Sequence, residues 1–248
     1  MEPFSKMHTN RAFVSVVAVA LTLAGSAWAD SAPALDLRLN QDTWVDTTAR
    51  NGGNGDFVYD DVVSGATALL DYRVTVFPSS VSVLGFSFDI TNTSTTTQIY
   101  TLTSAIAVDA MPAGCLLGAS IGGSVTDANF DGSASLTSAF GNPLFWGGLD
   151  FGGPAPLQLT SLINAPFNIA APFAGGTASV GPESIGLPGP SAPGAAFGAG
   201  YQSVALRFAL SAGDRASFTG VFVLQPVPAP AALATIAFAG LASRRRRR

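Results

Sequence analysis

The chain has 248 residues, of which 48% are hydrophobic and 11% are charged, and its formal net charge is −4 at pH 7. It contains one cysteine and one histidine, which excludes an internal disulfide and any metal centre built from several histidines. Cys115 lies among small and apolar residues, where we expect a buried thiol. Because His8 lies near the N-terminus, a cysteine–histidine or serine–histidine catalytic pair is not expected in the main domain.

The first 29 residues have the pattern of a secretory signal peptide. A basic start is followed by an apolar run over residues 12–25, and then by Ala27, Trp28 and Ala29. Small residues at Ala27 and Ala29 are typical of a signal cleavage site, which places the mature N-terminus at Asp30. The alternative, an N-terminal membrane anchor, requires a longer apolar run. The sequence therefore predicts an exported protein.

The segment 30–226 is predicted to form one domain, and it is strongly acidic. It holds fifteen acidic residues against five arginines, a net charge of −10, and the only lysine, Lys6, precedes it. Such a surface repels nucleic-acid phosphates and anionic membranes, so no nucleic-acid partner is expected. Cations or a neutral polymer such as an exopolysaccharide are suitable partners for this charge.

Alternating polar and apolar residues predict an all-β fold for this domain, with no long helical periodicity. We expect a single β-sandwich of jelly-roll or immunoglobulin-like type. The predicted strands of its first half are 57–63, 67–77, 81–91 and 98–108.

The second half of the domain has weaker patterns until its end. Residues 111–200 are rich in glycine pairs, and 181–200 is predicted to be a long loop. Residues 203–210 and 216–224 both alternate clearly and flank the turn 211–214. We expect these two strands to form a closing hairpin.

One local motif has the spacing of a calcium-binding loop. Asp127, Asn129 and Asp131 supply oxygen atoms at positions 1, 3 and 5, Gly132 provides the sharp turn, and the Ser133 carbonyl is a fourth ligand. Position 12 is Ser138, where such loops have Glu, and the flanks are not helical. An Asx-rich turn between two strands accounts for the same residues. Calcium at Asp127, Asn129, Asp131 and Ser133 is thus one of two interpretations.

Two further groups suggest carbohydrate chemistry. Asp56, Asp60 and Asp61 could supply a carboxylate pair, although neighbours on a strand point to opposite faces and charged edge strands also prevent aggregation. Trp44 and Trp146 could stack on a sugar ring or pack into the core.

The last twenty-two residues, 227–248, have three consecutive features. Pro228 and Pro230 restrict the backbone, residues 231–242 are small or apolar apart from one threonine, and five arginines follow at 244–248. A helix over the apolar run reaches roughly 20 Å, short of the roughly 30 Å hydrocarbon core. Arginines after an apolar run hold it at the cytoplasmic face. This pattern predicts a transient or processed membrane anchor.

This tail resembles the PEP-CTERM sorting signal of Gram-negative bacteria, with Ala229 where that motif has Glu. The positions that match are Val227, Pro228, Pro230, Arg244, Arg245, Arg246, Arg247 and Arg248. The resemblance implies that the partners are the export machinery and an exosortase-like membrane protease. It also implies a location in the cell envelope, at the outer surface or in the extracellular matrix. The segments 86–93 and 206–220 loosely resemble β-sandwich domains that precede such tails.

These features together lead to the expectation of an exported, C-terminally sorted protein with a non-enzymatic structural or adhesive role. No catalytic residues and no cofactor other than a possible calcium ion are expected. The alternatives are a calcium-dependent carbohydrate-binding module and a carboxylate-based glycoside hydrolase or lyase.

Overall fold

A computed structural model describes residues 32–53, 55–78, 81–151 and 153–227. Sixteen β-strands occupy these ranges, and they form two antiparallel sheets of eight strands each. The predicted all-β fold is confirmed for the described residues. No helix within them is long and apolar enough to cross a membrane. The signal peptide and the tail beyond Val227 lie outside the described residues.

The first sheet has the strand order β11-β10-β15-β7-β1-β2, and the short strands β9 and β12 pair beside it, with β9 also contacting β15. Its strands are β1 (Leu35–Leu39), β2 (Asp42–Asp46), β7 (Gln98–Val108), β9 (Ala134–Thr137), β10 (Phe145–Leu149), β11 (Leu157–Leu162), β12 (Asn168–Ala171) and β15 (Gly200–Leu210).

The second sheet has the order β13-β8-β16-β6-β5-β4-β3, with β14 pairing β8. Its strands are β3 (Arg50–Asn51), β4 (Phe57–Ser64), β5 (Ala68–Pro78), β6 (Ser82–Asn92), β8 (Cys115–Thr126), β13 (Thr177–Ile185), β14 (Ala192–Gly194) and β16 (Arg215–Pro226).

One hydrophobic core draws side chains from both sheets. Every second residue of β6 is buried, and β1 buries Leu35, Leu37 and Leu39 in the same alternating way. Across the core, Phe208 of the first sheet contacts Phe218 of the second, with ring centroids 5.1 Å apart. The two sheets therefore pack in a β-sandwich-like arrangement, whose thickness is set by aromatic and leucine side chains.

Strong alternation located the strands of the first half to within one residue. The predicted 57–63, 67–77, 81–91 and 98–108 correspond to β4, β5, β6 and β7. The strands β1, β2 and β3, which lie before the first predicted strand, were missed.

The predicted closing hairpin is wrong. The two strands exist as β15 and β16, but β15 pairs with β7, β9 and β10, whereas β16 pairs with β6 and β8 in the other sheet. The alternation of apolar residues shows only that each strand buries one face. The buried faces of β15 and β16 pack on opposite sides of the core, so residues 211–214 cross between the sheets.

The prediction of an irregular segment 111–200 is also wrong in large part. The twelve-residue β8 is an interior strand of the second sheet. The strand β13 extends to Ile185, so it includes the first residues of the segment 181–200 that was predicted to be a long loop. Glycine and alanine lower the β-propensity of β8. The glycines are needed for space, because a Cβ at Gly123 would lie 2.1 Å from the carbonyl oxygen of Ser217.

Candidate functional site

Three connections cross between the sheets at one end of the molecule, and the last of them in the chain contacts the other two. We call them arch 1 (residues 93–97, after β6), arch 2 (127–133, after β8) and arch 3 (211–214, after β15). Each passes from one sheet to the other. Polar side chains in or beside the arches hold them together.

Asn92, at the end of β6, is fully buried and links arch 1 to arch 3. Its side-chain amide donates hydrogen bonds to the carbonyl oxygens of Thr96, Leu210 and Ser211, at 2.9, 3.0 and 2.9 Å. Its carbonyl oxygen accepts from the backbone N–H of Ser94. A single side chain thus satisfies several backbone groups that the crossing turns would leave without partners.

Arch 2 contains the predicted calcium ligands, and three of them hydrogen bond to each other. The backbone N–H of Asp131 donates to the side-chain oxygen of Asn129 at 2.9 Å, and the N–H of Ser133 donates to Asp131 at 3.0 Å. Phe130 and Gly132 have φ of 62° and 96°, which gives the loop its sharp turn. These contacts are those of a chain of Asx turns.

Asp127 differs from the other three because it is fully buried. Its Oδ2 accepts hydrogen bonds from the backbone N–H groups of Gly132 at 2.9 Å and Gly175 at 3.2 Å. Its Oδ1 is buried and has no hydrogen-bond donor within the described chain. The structure therefore separates Asp127 from the exposed turn residues Asn129 and Asp131.

Asp214, in arch 3, is a second fully buried carboxylate beside arch 2. Its Oδ1 accepts from the backbone N–H of Ala128 at 3.3 Å, and its Oδ2 accepts from the hydroxyl of Ser211. Burial raises the pKa of Asp214, and the charges of Asp127 and Asp131 raise it further, against the lowering effect of the two hydrogen bonds.

Sequence reasoning placed Asp214 only in a turn. The contact with arch 2 joins positions far apart in the chain, and no local spacing signals it. Within the described ranges, no group of three or more Asp, Glu, His or Cys side chains is arranged to hold a metal ion.

Neither tryptophan offers an open platform. Trp44 on β2 is partly buried against the core. Trp146 on β10 is covered by neighbours, because the Arg207 guanidinium carbon lies 5.6 Å from its ring centroid and the Phe151 ring lies 6.3 Å away. The two tryptophans are therefore packing residues in this structure.

One exposed aromatic residue that lines clefts is Tyr201, at the start of β15. It is 52% exposed and lines two clefts of about 300 and 380 Å³. The first cleft is also lined by Asp36 and Arg38, whose two hydrogen bonds measure 3.0 and 2.6 Å. Asp150 lines it too, and accepts a 2.8 Å hydrogen bond from the Tyr201 N–H.

The three aspartates considered as a carboxylate pair are not brought together as one. Asp60 forms an ion pair with Arg50, and Asp61 accepts a hydrogen bond from the next residue, Val62. Asp56 is buried near Gly52, where an added Cβ would collide with its carboxylate. Asp60 and Asp61 lie on β4 beyond the two residues that pair with β3, which is the usual place for charges that protect an edge strand.

Two other predicted residues lie within the described chain. Cys115 is 2% exposed, and burial raises the pKa of its thiol. Val227 follows β16 directly, and its N–H donates to the Gly114 carbonyl at 3.1 Å. The other predicted sorting residues, Pro228, Pro230 and Arg244 to Arg248, and the cleavage residues Ala27 and Ala29, lie outside the described residues.

No known protein-family model matches the chain, and no curated protein matches it.

Proposed function

We propose that this chain is an exported protein of the cell envelope or extracellular matrix, sorted by its C-terminal segment, with a non-enzymatic structural or adhesive role. The observation that carries the proposal is the order of residues from Val227 onward: a proline motif, a short apolar run and five terminal arginines. The N-terminal signal pattern ending at Ala29 supports the same destination. An exosortase-like protease and the export machinery are the proposed partners.

The position of the last strand supports processing at this tail. β16 lies between β8 and β6 in the interior of its sheet and ends at Pro226. The motif begins one residue later, so cleavage beyond Val227 removes no strand and no core side chain of the described domain. The domain can therefore keep its packing after the tail is lost.

The test is the fate of tail variants in an exporting host with an exosortase. Replacing Pro228 and Pro230 by alanine, or deleting residues 244–248, is expected to leave a longer, membrane-retained form. Pro112→Ala, at an exposed proline within the domain, is the matched control and should behave as wild type. Unchanged size and unchanged location for both tail variants would refute the sorting proposal.

A second candidate function, binding of a neutral saccharide, is favoured by the two clefts at Tyr201. Saccharide sites commonly join an aromatic face with a few fixed polar groups, and the paired Asp36 and Arg38 side chains supply such groups. Arch 2 is not part of this site, because arch 3, which it contacts, follows the opposite end of β15 from Tyr201. Leu210 lies nine positions after Tyr201 on this strand, roughly 30 Å away.

The jelly-roll or immunoglobulin-like class stays a prediction, and so does the hydrolase or lyase alternative. The latter requires two carboxylates about 5 to 9.5 Å apart across an open cleft. Asp60 and Asp61 do not support it, since one is paired with Arg50 and both lie on the part of β4 that β3 does not cover.

A further inference from the structure

We propose that Asp127 and Asp214 form the core of a calcium site that ties arch 2 to arch 3. The two residues belong to loops that follow different strands, and both are fully buried. This inference is independent of the sorting function, because it concerns the folded domain alone.

The first step of the argument is the state of the Asp127 carboxylate. Oδ2 is held by two backbone N–H groups, whereas Oδ1 is buried with no donor within the described chain. Buried polar atoms in native proteins nearly always have a partner, because an unpaired one costs free energy. A bound cation supplies a partner that the chain itself does not.

The second step is the charge around this oxygen. The ion pairs found among the described residues engage Asp36, Asp60 and Asp89, and none involves Asp127, Asp131 or Asp214. Two carboxylates that share a buried location repel each other unless a proton or a cation lies between them. A divalent cation removes that repulsion and joins the arches.

The third step concerns the choice of metal. Every group offered here is an oxygen, which suits Ca²⁺ and not a soft metal. Asp131 is exposed and already accepts hydrogen bonds from Ser133 and Asn129, so it can contribute only in part. Asp127 and Asp214 also accept hydrogen bonds, and Asp127 Oδ1 is the oxygen of the two carboxylates that has no donor within the described chain. Two such carboxylates completed by carbonyls and waters make a weak site, in the range of roughly 10⁻⁴ to 10⁻³ M found for extracellular modules.

This ligand set revises the one that the sequence spacing suggests. Asn129 uses its side-chain oxygen to accept from the Asp131 N–H and its amide to donate to the Ala212 carbonyl. Ser133 donates both its N–H and its hydroxyl to Asp131. Both residues therefore shape the loop, and Asp214 takes a place in the site that local spacing does not reveal.

The experiment is thermal unfolding of the full-length purified protein at pH 7.5, in EDTA and in 5 mM CaCl₂. A site with a dissociation constant near 0.5 mM is expected to raise Tm by about 3 to 6 °C. Asp127→Asn and Asp214→Asn should each abolish the rise. Asp61→Asn, which removes an exposed acid on β4, should retain it and so controls for calcium bound loosely to the acidic surface.

No Tm difference in the wild-type protein, or the same rise in both site variants, would overturn the proposal. If Asp127→Asn does not fold, Asp214→Asn decides alone. If neither variant folds, calorimetric titration of the wild-type protein with CaCl₂ decides: one saturable site supports the proposal, and no saturable site refutes it.

Discussion

The backbone N–H of Asn92 donates a 2.9 Å hydrogen bond to the carbonyl oxygen of Asp214, which joins the turn after β6 to the turn after β15. The side-chain amide of Asn92 adds three more hydrogen bonds, to arch 1, to arch 3 and to Leu210 at the end of β15. Asn92 is thus the residue that most directly fixes how the chain crosses between the two sheets.

Asn92→Ala should destabilise the domain by about 3 kcal/mol, because it removes hydrogen bonds to the buried Leu210 carbonyl and to the partly buried carbonyls of Thr96 and Ser211. For a domain of this size that corresponds to a Tm lower by roughly 6 to 12 °C. Thermal unfolding measures the effect. Asn164→Ala, at an exposed asparagine, should change stability by less than about 0.5 kcal/mol. Equal effects of the two substitutions would contradict the role given to Asn92.

Gly123→Ala should prevent correct pairing of β8 with β16. The added methyl group would lie 2.1 Å from the Ser217 carbonyl oxygen, which belongs to the backbone and cannot move without breaking the ladder. We expect a loss of more than about 3 kcal/mol or failure to fold. Gly189→Ala is the control, since nothing lies within 4 Å of its added Cβ. Soluble yield and urea unfolding curves of the two variants compare them, and a stable Gly123→Ala protein would disprove the steric argument.

The raised pKa of Asp214 predicts a specific pH dependence. Between the ordinary pKa of an aspartate and the raised value in the folded protein, the folded state binds more protons than the unfolded state. Stability therefore falls as pH rises through this window, which begins near pH 4. Asp214→Asn removes this dependence, so in the absence of calcium the variant should gain stability relative to wild type as pH rises above about 4.

Urea unfolding at several pH values in EDTA measures this difference. Asp46 provides the opposite case: although burial raises its pKa, hydrogen bonds from Thr48 and Tyr72 lower it overall. Asp46→Asn should therefore lose stability relative to wild type as pH rises towards about 4, and this loss should stay constant at higher pH. The same pH trend in both variants would show that the environment of Asp214 has been misassigned.

Saccharide binding at the two clefts predicts separable effects of two substitutions at Tyr201. Tyr201→Ala removes the ring that both clefts share and should weaken binding at least tenfold, whereas Tyr201→Phe keeps the ring and should weaken it less. Affinity electrophoresis in neutral exopolysaccharides measures both, with Phe140→Ala as a control for loss of an exposed aromatic elsewhere. EDTA should not change the result, because arch 2 lies beyond the other end of the strand.

The sequence allowed most of the long strands to be located but not their partners. β5, β6 and β7 alternate strongly because one face of each is buried, and that period is local information. Whether β15 and β16 share a sheet depends on contacts made by Asn92 and Asp214, which are distant in sequence. β8 was missed because its glycines serve close packing against neighbouring strands, which lowers the local strand signal.

For the candidate site, too, the sequence indicated the local structure but not the contacts between distant residues. The spacing from Asp127 to Ser133 correctly indicated a tight oxygen-rich loop, since Asx turns are local. It gave no indication that Asp127 is buried or that Asp214 lies beside it. The covering of Trp146 likewise depends on Arg207, which lies far from it in the sequence.

The central claim, delivery outside the cell by a processed C-terminal tail, is tested most directly by the intact mass and terminal sequence of the protein recovered from the envelope or matrix. The account predicts a chain that begins at Asp30, retains the domain through Pro226 and lacks Arg244 to Arg248. Recovery of a chain that still carries Met1 or all five terminal arginines would contradict it.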